Sequence, residues 1–271
     1  MPKFSVLMSV YKNEKPEYLI KAIDSVLEQT LLPNEILIVK DGLLTDELEK
    51  VLDKYKQKSA LFRYLEFKEN RGLGLALRDG VLACNYGLIA RMDTDDICKP
   101  ERFEKQIKYL KEHPDVALLG TFIEEFSQDE NKPDTITKLP CEHEEIKTFA
   151  KKRNPFRHMT IMFNKAAVLD SGNYRNFLWF EDYDLWVRVI GRGFKTANIS
   201  EILVSVRADK DMFARRGGRK YLKQEIEFQR FLLSNKFIGM LDFVKNIVVR
   251  SIVRMVPNEL RILIYKKMLR R

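Results

Sequence analysis

The chain has 271 residues, 45% of them hydrophobic and 11% aromatic, which is enough for one large domain or a domain with an appendage. The three cysteines, Cys84, Cys98 and Cys141, are odd in number and widely spaced, which excludes a disulfide framework and indicates a reducing compartment. Because no signal-peptide pattern and no run of about 18 uncharged apolar residues occurs, we expect neither secretion nor a membrane-spanning helix.

The net charge of +9 is concentrated at the C-terminal end. Residues 207–271 carry 17 Lys and Arg against 6 Asp and Glu, whereas the remaining 206 residues carry 31 against 33. This distribution predicts a nearly neutral globular body followed by a basic segment. Such a segment indicates an anionic partner, either a membrane surface or a nucleic acid.

The first hundred residues alternate short apolar runs with helical patterns. Strands are predicted over Phe4–Val10, Glu35–Val39, Phe62–Phe67 and Tyr86–Ala90, with helices at about 17–30, 45–57 and 75–84. This β-α-β-α-β-α-β order is typical of a parallel, doubly wound sheet. Right-handed crossovers bring the carboxyl ends of such strands to one edge, so we expect Asp41, Asp93 and Asp95 to face one cleft.

Three carboxylates fall within four residues at Asp93-Thr94-Asp95-Asp96, directly after the fourth strand. Oxygen ligands in this density suit a hard divalent ion, Mg²⁺ or Mn²⁺, that bridges to substrate phosphates. The alternative is a polar loop whose Asp caps the next helix. Gly72-x-Gly74 lacks a third glycine and follows the third strand, so we interpret it as a tight turn near the ligand and not as a dinucleotide fingerprint.

The second half of the chain predicts a mixture of shorter elements. They are a helix at about 101–112, strands at Val116–Gly120 and Phe122–Phe126, a polar segment at 127–140, a helix at 142–153, a strand at Ile161–Phe163, a short helix at Asn164–Ser171, a helix from Asp182 to about Arg192, strands at Phe194–Ile199 and Ile202–Val206, and a long amphipathic helix at 215–234.

Residues 236–271 place aliphatic side chains at helical spacing, with Lys and Arg between them and a break at Pro257. A basic amphipathic helix of this kind predicts contact with an anionic membrane surface, where each cation contributes about 1 kcal/mol. The alternative is a helix that packs on the body or on a second copy of the chain, as in a homodimer.

Six short segments follow one another in a specific order and spacing. They are Ser9–Glu14, Val39–Gly42, Asn70–Gly74, Arg91–Asp96, Gly172-x-Tyr174 and Glu181-Asp182-x-Asp184-Leu185-Trp186. Together they resemble family 2 glycosyltransferases with the GT-A fold, above all the bacterial branch that builds capsule, exopolysaccharide and lipopolysaccharide chains. The resemblance implies an α/β GT-A domain at 1–207, with a Rossmann-like, mostly parallel sheet flanked by helices, and a basic helical extension at 208–271.

The resemblance also implies a nucleotide-sugar donor, with UDP the usual carrier in the family. The donor-binding residues it implies are Val10, Tyr11, Asn13, Glu14, Asp41, Arg71, Gly72, Arg91, Asp93, Arg215 and Arg216. Asp93 and Asp95 match the metal-binding DxD motif, which implies Mn²⁺ or Mg²⁺ as the cofactor. Arg215 and Arg216, on an expected lid, would contact diphosphate oxygens directly, unless they form only a solvated basic face.

Asp182 matches the catalytic base of the family, and Glu181 lies beside it. A positioned carboxylate can take the proton of an attacking hydroxyl while a divalent ion neutralises the departing diphosphate. With one base opposite the leaving group, displacement is in line and inverts the anomeric configuration. The alternative is an acidic pair that serves only the dipole of its helix.

The acceptor side is implied at His158 and Trp179, although a lone His is more often structural. Many relatives carry a His after the last core strand that completes the metal shell, and residues 206–211 contain none. Either Asp209 or Asp211 substitutes for it, or the metal is held by Asp95, diphosphate and water.

The expected function is an inverting, metal-dependent hexosyltransferase that moves a sugar to a lipid-linked saccharide, as a cytoplasmic, peripheral enzyme on the inner face of the membrane. A catalytically silent nucleotide-sugar-binding subunit would predict damage to Asp95 or Asp182, and both are present. A nucleic-acid binder would interleave stacking aromatics with its cations, whereas this tail carries aliphatics, so we expect no nucleic-acid partner. A nucleotidyltransferase would need a basic glycine-rich loop after the first strand, and the sequence has no such loop there.

Overall fold

The structure, a computed structural model, describes residues 2–208 and 218–256. Its strands are β1 Phe4–Val10, β2 Glu35–Lys40, β3 Phe62–Glu66, β4 Leu88–Arg91, β5 Ile97–Cys98, β6 Val116–Phe126, β7 Thr135–Thr137, β8 Met162–Asn164 and β9 Lys195–Arg207. Its α-helices are α1 Pro16–Leu27, α2 Asp46–Lys58, α3 Leu73–Ala83, α4 Arg102–Glu112, α5 His143–Ala150, α6 Lys165–Asp170, α7 Glu181–Gly191, α8 Gly218–Ser234 and α9 Met240–Met255. A 3-10 turn covers His158–Thr160.

The first four strands form the parallel half of the sheet, in the spatial order β3-β2-β1-β4. β1, β2 and β4 are largely apolar and buried because helices cover both faces of this half, as is usual for parallel strands, whereas the edge strand β3 carries exposed Arg63 and Glu66. One face packs on α1, α2 and α4, and the other on α3 and α7. The predicted doubly wound α/β fold is therefore confirmed, and the carboxyl ends of these strands share one edge.

The second half of the sheet mixes directions. β8 is antiparallel to both β4 and β6, β9 is parallel to β6, and β5 and β7 add short antiparallel pairs at β9 and β6. The two strand fragments predicted on either side of Thr121 form one strand, β6, and those on either side of Ser200 form β9. Ser200 and Glu201 are exposed where the register shifts, which accounts for the polar interruption of the pattern.

Gly72 and Gly74 shape the start of α3. Gly72 has φ +85°, in the left-handed region that favours glycine. A Cβ on Gly74 would lie 2.5 Å from the carbonyl oxygen of Arg175 and 3.1 Å from the Cβ of Glu181. The turn is formed as predicted, and its second glycine lets α3 lie close to the segment that begins α7.

The helical extension is anchored on α7. Aromatic and aliphatic side chains of α8 pack against Phe180, Tyr183 and Val187, and the ring of Phe228 stacks on that of Phe180 with centroids 4.9 Å apart. α9 packs on α8 and on the loop after α5, where the Asn246 side-chain amide donates to the Lys151 carbonyl at 2.8 Å. The extension therefore supports the helix whose first residues are the expected catalytic acids.

α9 is amphipathic as predicted, but its orientation differs from the expected one. Arg250 and Arg254 turn inward and pair with the buried carboxylate of Glu225 at 3.1 and 2.9 Å. Most of its apolar side chains are instead exposed, namely Met240, Leu241, Val244, Val248, Val249, Ile252 and Met255. Within residues 2–208 and 218–256, no helix is both long and apolar enough to cross a bilayer.

Candidate active site

The acidic segment after β4 forms a compact carboxylate cluster. One oxygen from each of Asp93, Asp95 and Asp96 lies within 4.8 Å of the others. The cluster stands at the carboxyl edge of the parallel sheet, where the sequence places it. The alternative of an acidic helix cap is wrong, because α4 begins only at Arg102 and its N-cap residue is Glu101.

Burial and mutual repulsion dominate the electrostatics of this cluster. Burial, reinforced by the charges of Asp93 and Glu14, raises the pKa of Asp95 to about 7. Burial and the neighbouring carboxylates also raise the pKa of Asp96 far above its ordinary value, although Asp96 Oδ1 accepts the Arg207 N–H at 2.9 Å. Carboxylates this close need a proton or a cation between them. A donor set made only of oxygens fits Mg²⁺ or Mn²⁺.

Two buried arginines lie behind the cluster. Arg91 is 1% exposed and pairs with Asp93, and its Nε and Nη1 have no hydrogen-bond partner. Arg102 is fully buried, and its Nη2 donates to the Arg91 carbonyl at 2.7 Å. Arg102 thus holds the backbone of the acidic segment, and the binding of an anionic ligand by Arg91 stays a prediction.

Glu181 and Asp182 form the first turn of α7. Asp182 Oδ2 accepts the Asn154 Nδ2–H at 2.6 Å, and Oδ1 accepts the Tyr183 N–H at 2.6 Å. Both oxygens are therefore fixed in direction. Burial and the charge of Asp182 raise the pKa of Glu181 to about 7, so Glu181 keeps a proton where an ordinary glutamate is ionised.

Asp184, the third acid of this motif, has a structural role. It is fully buried and binds both Arg175 and Arg188, the latter at 2.7 Å. Arg188 in turn donates to the carbonyls of Ser171 and Asn173. This network ties α7 to the loop after α6 and so fixes the start of α7.

A cavity of about 710 Å³ opens in front of both acidic groups, a volume suited to a substrate-sized ligand. Its walls come from the ends of β4 and β9, the loop 152–159, the start of α7, and α9. The predicted site residues that line it are Arg91, Asp93, Asp95, His158, Trp179, Glu181 and Asp182. The structure therefore brings the metal-binding and catalytic predictions into one space.

The residues predicted on the acceptor side, His158 and Trp179, are held by aromatic contacts. His158 Nε2 lies 2.9 Å from the Tyr174 hydroxyl, and its ring meets the edge of Trp186. Burial and the charge of Arg91 lower the pKa of His158 well below its ordinary value, so the imidazole is neutral. Trp179 has φ +67°, a strained conformation for a bulky residue, and stacks on Tyr221 with ring centroids 4.9 Å apart. It presents a flat wall beside Glu181.

The loop after β1 lies next to the acidic segment because β1 and β4 are neighbours. Val10 is buried at the strand end, whereas Tyr11 and Asn13 are exposed. Glu14 Oε2 accepts the Thr94 hydroxyl at 2.6 Å, and burial raises the pKa of Glu14. This bond joins the two loops, and the donor-binding role of these four residues stays a prediction.

Asp41 is buried, and its two carboxylate oxygens accept the N–H groups of Arg71 and Gly72 at 2.8 and 3.0 Å. The Arg71 guanidinium pairs with Asp79 at 2.8 Å and lies over the ring of Phe67. Among the described residues, the cavity lining includes Asp93 and Asp95 but not Asp41. Asp41 therefore organises the turn before α3, and its contact with a nucleobase stays a prediction.

The end of β9 carries an arginine near the cluster, in the region where the resemblance implied a metal-binding His. The Arg207 guanidinium lies between the rings of Tyr18 and Phe126, 3.9 and 4.7 Å from their centroids, and lines the cavity. The alternatives Asp209 and Asp211 lie outside the described residues, as do the lid predictions Arg215 and Arg216 and the tail segment 257–271.

The comparisons with known proteins agree with this geometry. The family model described as Glycosyl transferase family 2 matches residues 5–173, more than half of the chain. The chain belongs to glycosyltransferase family 2.

Two relatives of nearly equal length support the assignment. The amylovoran biosynthesis glycosyltransferase AmsE of Erwinia amylovora is 39% identical over 264 residues, covering 97% of this chain and 98% of the relative.

The second relative is the UDP-Gal:alpha-D-GlcNAc-diphosphoundecaprenol beta-1,3-galactosyltransferase of Escherichia coli. It is 37% identical over 275 residues, covering 100% of this chain and 98% of the relative. The expected family is thus confirmed, and both relatives match the chain beyond residue 173, where the family model ends.

Solved structures show the fold. TarS 1-349 of S. aureus in complex with UDP-GlcNAc has a TM-score of 0.68 at 15% identity, covering 92% of this chain and 72% of that one. The mannosyltransferase PcManGT of Pyrobaculum calidifontis, in complex with GDP-Man and Mn²⁺, has a TM-score of 0.65 at 14% identity, covering 97% and 72%. The GT-A fold expected from the motifs is confirmed.

Several residues at the site of this glycosyltransferase leave no recognisable pattern in the sequence. The bond from Asn154 to Asp182 joins residues 28 positions apart and leaves no local signal. Arg102 has the pattern of an exposed helical arginine and is fully buried. Arg207 and the cations of α9 line the cavity because of the way the chain folds back on itself. The spacing of apolar residues in the sequence does not reveal this placement.

Proposed function

We propose that this glycosyltransferase moves a sugar from a nucleotide-diphosphate sugar, with UDP as the carrier, to a hydroxyl of a lipid-linked saccharide during synthesis of a surface polysaccharide. The observation that carries the proposal is the single cavity lined by the carboxylate cluster, Arg91 and Asp182. The names of the two relatives support the donor, the lipid-linked acceptor and the polysaccharide.

The donor diphosphate is proposed to bind at the carboxylate cluster. Asp95, with Asp93, would hold a divalent ion, which when bound acts as a Lewis acid that offsets the negative charge of the departing diphosphate. The free N–H donors of Arg91 bind phosphate oxygens beside it, because guanidinium groups form strong, directed hydrogen bonds to phosphate. The joined loops of Glu14 and Thr94 close this end of the site.

Asp182 is proposed as the general base. The acceptor oxygen attacks the anomeric carbon and its proton passes to Asp182, while the bond between the anomeric carbon and the diphosphate oxygen breaks and nucleoside diphosphate leaves. Asn154 and the Tyr183 N–H aim the carboxylate. Because the acceptor oxygen attacks from the face opposite the departing diphosphate in a single displacement, the configuration at the anomeric carbon inverts. The Trp179 indole forms a wall for the acceptor sugar.

Membrane association is proposed to run through α9. Leu241, Val244, Val248, Ile252 and Met255 repeat every three or four residues and are 52–88% exposed, so they form one apolar stripe. A helix with such a stripe lies in the interface of a bilayer, and segment 257–271 adds five Lys and Arg. The enzyme is thereby placed at the surface that carries its acceptor, as a peripheral protein.

Donor hydrolysis tests the proposed activity. The purified protein is incubated with Mn²⁺ and a panel of UDP-, GDP- and dTDP-sugars, and release of nucleoside diphosphate is measured with and without a lipid-linked acceptor. We expect one donor to be turned over, and the turnover to be lost with chelator, in Asp95→Ala and in Asp182→Ala. If no nucleotide sugar binds or reacts, the proposed function is wrong.

A further inference from the structure

The cavity is electrostatically divided. Its acidic side holds the carboxylate cluster with Glu181 and Asp182, and its other walls carry six cations. The cations are Lys152, Arg153, Arg157, Lys245, Arg250 and Arg254. The carboxylates of Asp242, in the same wall, and Glu225, behind it, offset part of this charge. Six cations against two carboxylates leave this wall strongly positive.

Contacts between two chain segments build this basic wall. Arg250 donates to the carbonyl of Lys152, and Asn246 donates to that of Lys151 at 2.8 Å, so α9 is fastened to the loop after α5. Glu225 holds Arg250 and Arg254 in place from beneath. Lys152 and Lys245 are exposed, and their ammonium groups can reach a ligand in the cavity.

The basic wall begins beside the proposed catalytic base. Lys152 is two residues from Asn154, a span of at most about 7 Å, and Asn154 donates to Asp182 at 2.6 Å. An acceptor sugar whose hydroxyl reaches Asp182 therefore has its other end next to these cations. The donor diphosphate already has its own partners at the carboxylate cluster, so the wall suits a second anionic group.

We infer that the basic wall binds a diphosphate bonded directly to the acceptor sugar. This inference rests on the proposed function and adds to it the class of acceptor, a sugar diphosphate carried on a lipid. Charge-assisted hydrogen bonds to phosphate are among the strongest in proteins, so the wall also fixes which hydroxyl of the acceptor reaches Asp182. The apolar stripe of α9 begins on the same helix, so the lipid chain leaves the cavity toward the membrane.

Acceptor kinetics test the inference without a membrane. Two soluble acceptors carry the same sugar and the same short alkyl chain, one joined through a diphosphate and the other through an uncharged glycosidic bond. We expect the wild type to prefer the diphosphate acceptor by about 100-fold or more in kcat/KM. The double variant Lys152→Gln, Lys245→Gln should lose at least about tenfold of that preference, mainly through KM, since hydrogen bonds to charged groups contribute most.

Lys54→Gln, at an exposed lysine on α2 away from the cavity, is the matched control and should keep the preference. An unchanged preference in the double variant, or none in the wild type, would overturn the inference. If the double variant loses binding to vesicles of anionic lipid but keeps its acceptor preference, the wall contacts lipid headgroups and the inference is wrong. Absence of any donor turnover would instead reject the proposed function itself.

Discussion

Asn154→Ala removes the amide that donates to Asp182 Oδ2 at 2.6 Å. A hydrogen bond to a charged group contributes about 1.5–3 kcal/mol, and each 1.36 kcal/mol changes a rate tenfold. If the bond aims the carboxylate in the transition state, kcat should fall about 10- to 100-fold. Because the lost donor favours the ionised carboxylate, the acid limb of the pH–rate profile should also move upward by about one unit.

Asn154→Asp sharpens this test. The replacement can still accept the Phe156 N–H that Asn154 Oδ1 accepts at 3.2 Å, but it sets a second carboxylate against Asp182. Its loss of activity should therefore grow as the pH rises from 6 to 8. Asn164→Ala, which removes the N-cap of α6 at a cost of about 1 kcal/mol, is the control for a stability loss alone.

The assay is steady-state transfer with saturating donor and acceptor, measured from pH 5.5 to 9 beside thermal unfolding of each variant. A fall in kcat below threefold with an unmoved acid limb would refute the role of Asn154 in positioning the base. A comparable loss of kcat in Asn164→Ala would show that the effect follows stability and not position.

Three further predictions concern the metal site, the extension and the membrane. Because the pKa of Asp95 is raised to about 7, metal-free protein should lose stability as the pH rises from about 4 to 7. Mn²⁺ should therefore raise Tm more at pH 8 than at pH 5.5. In Asp95→Asn that difference should vanish, and its persistence would count against the site. Phe228→Ala removes a fully buried ring and should lower the free energy of unfolding, measured by urea titration, by about 3–5 kcal/mol. A loss under about 1 kcal/mol would mean that α8 is not anchored on α7. The double variant Leu241→Ser, Val248→Ser should weaken binding to anionic vesicles at least about tenfold, measured by sedimentation. Leu43→Ser, at another exposed leucine, is the control. Unchanged vesicle binding together with loss of a dimer would assign the apolar stripe to contact with a second copy of the chain.

Local patterns of apolar residues and chain breaks were sufficient to predict the first half of the fold. The strands and helices up to β4 are separated by clear breaks such as Pro33, and a regular βαβ order permits one arrangement of strand ends. The carboxylate cluster followed from that arrangement, because Asp93 and Asp95 come directly after a strand. Glu181 and Asp182 were found through the resemblance, since an acidic first turn is common on helices that catalyse nothing.

Contacts between distant segments could not be predicted from one sequence. Nothing near Asn154 indicates that it meets Asp182, and nothing near Arg102 indicates burial beneath Arg91. The same holds for α9, whose cations were expected at a lipid surface. Burial of Glu225 makes inward-facing Arg250 and Arg254 favourable, because a buried carboxylate requires a charged partner. Ile252, between them, is consequently exposed.

The stereochemistry of the product tests the central claim most directly. The transferred sugar is analysed by proton NMR, with the anomeric coupling constant compared between the donor and the purified product, for wild type and for Asp182→Asn. The account predicts a product of inverted configuration from the wild type and a loss of transfer of at least about 100-fold in the variant. A product of retained configuration, or full transfer by Asp182→Asn, would contradict a single displacement with Asp182 as the base.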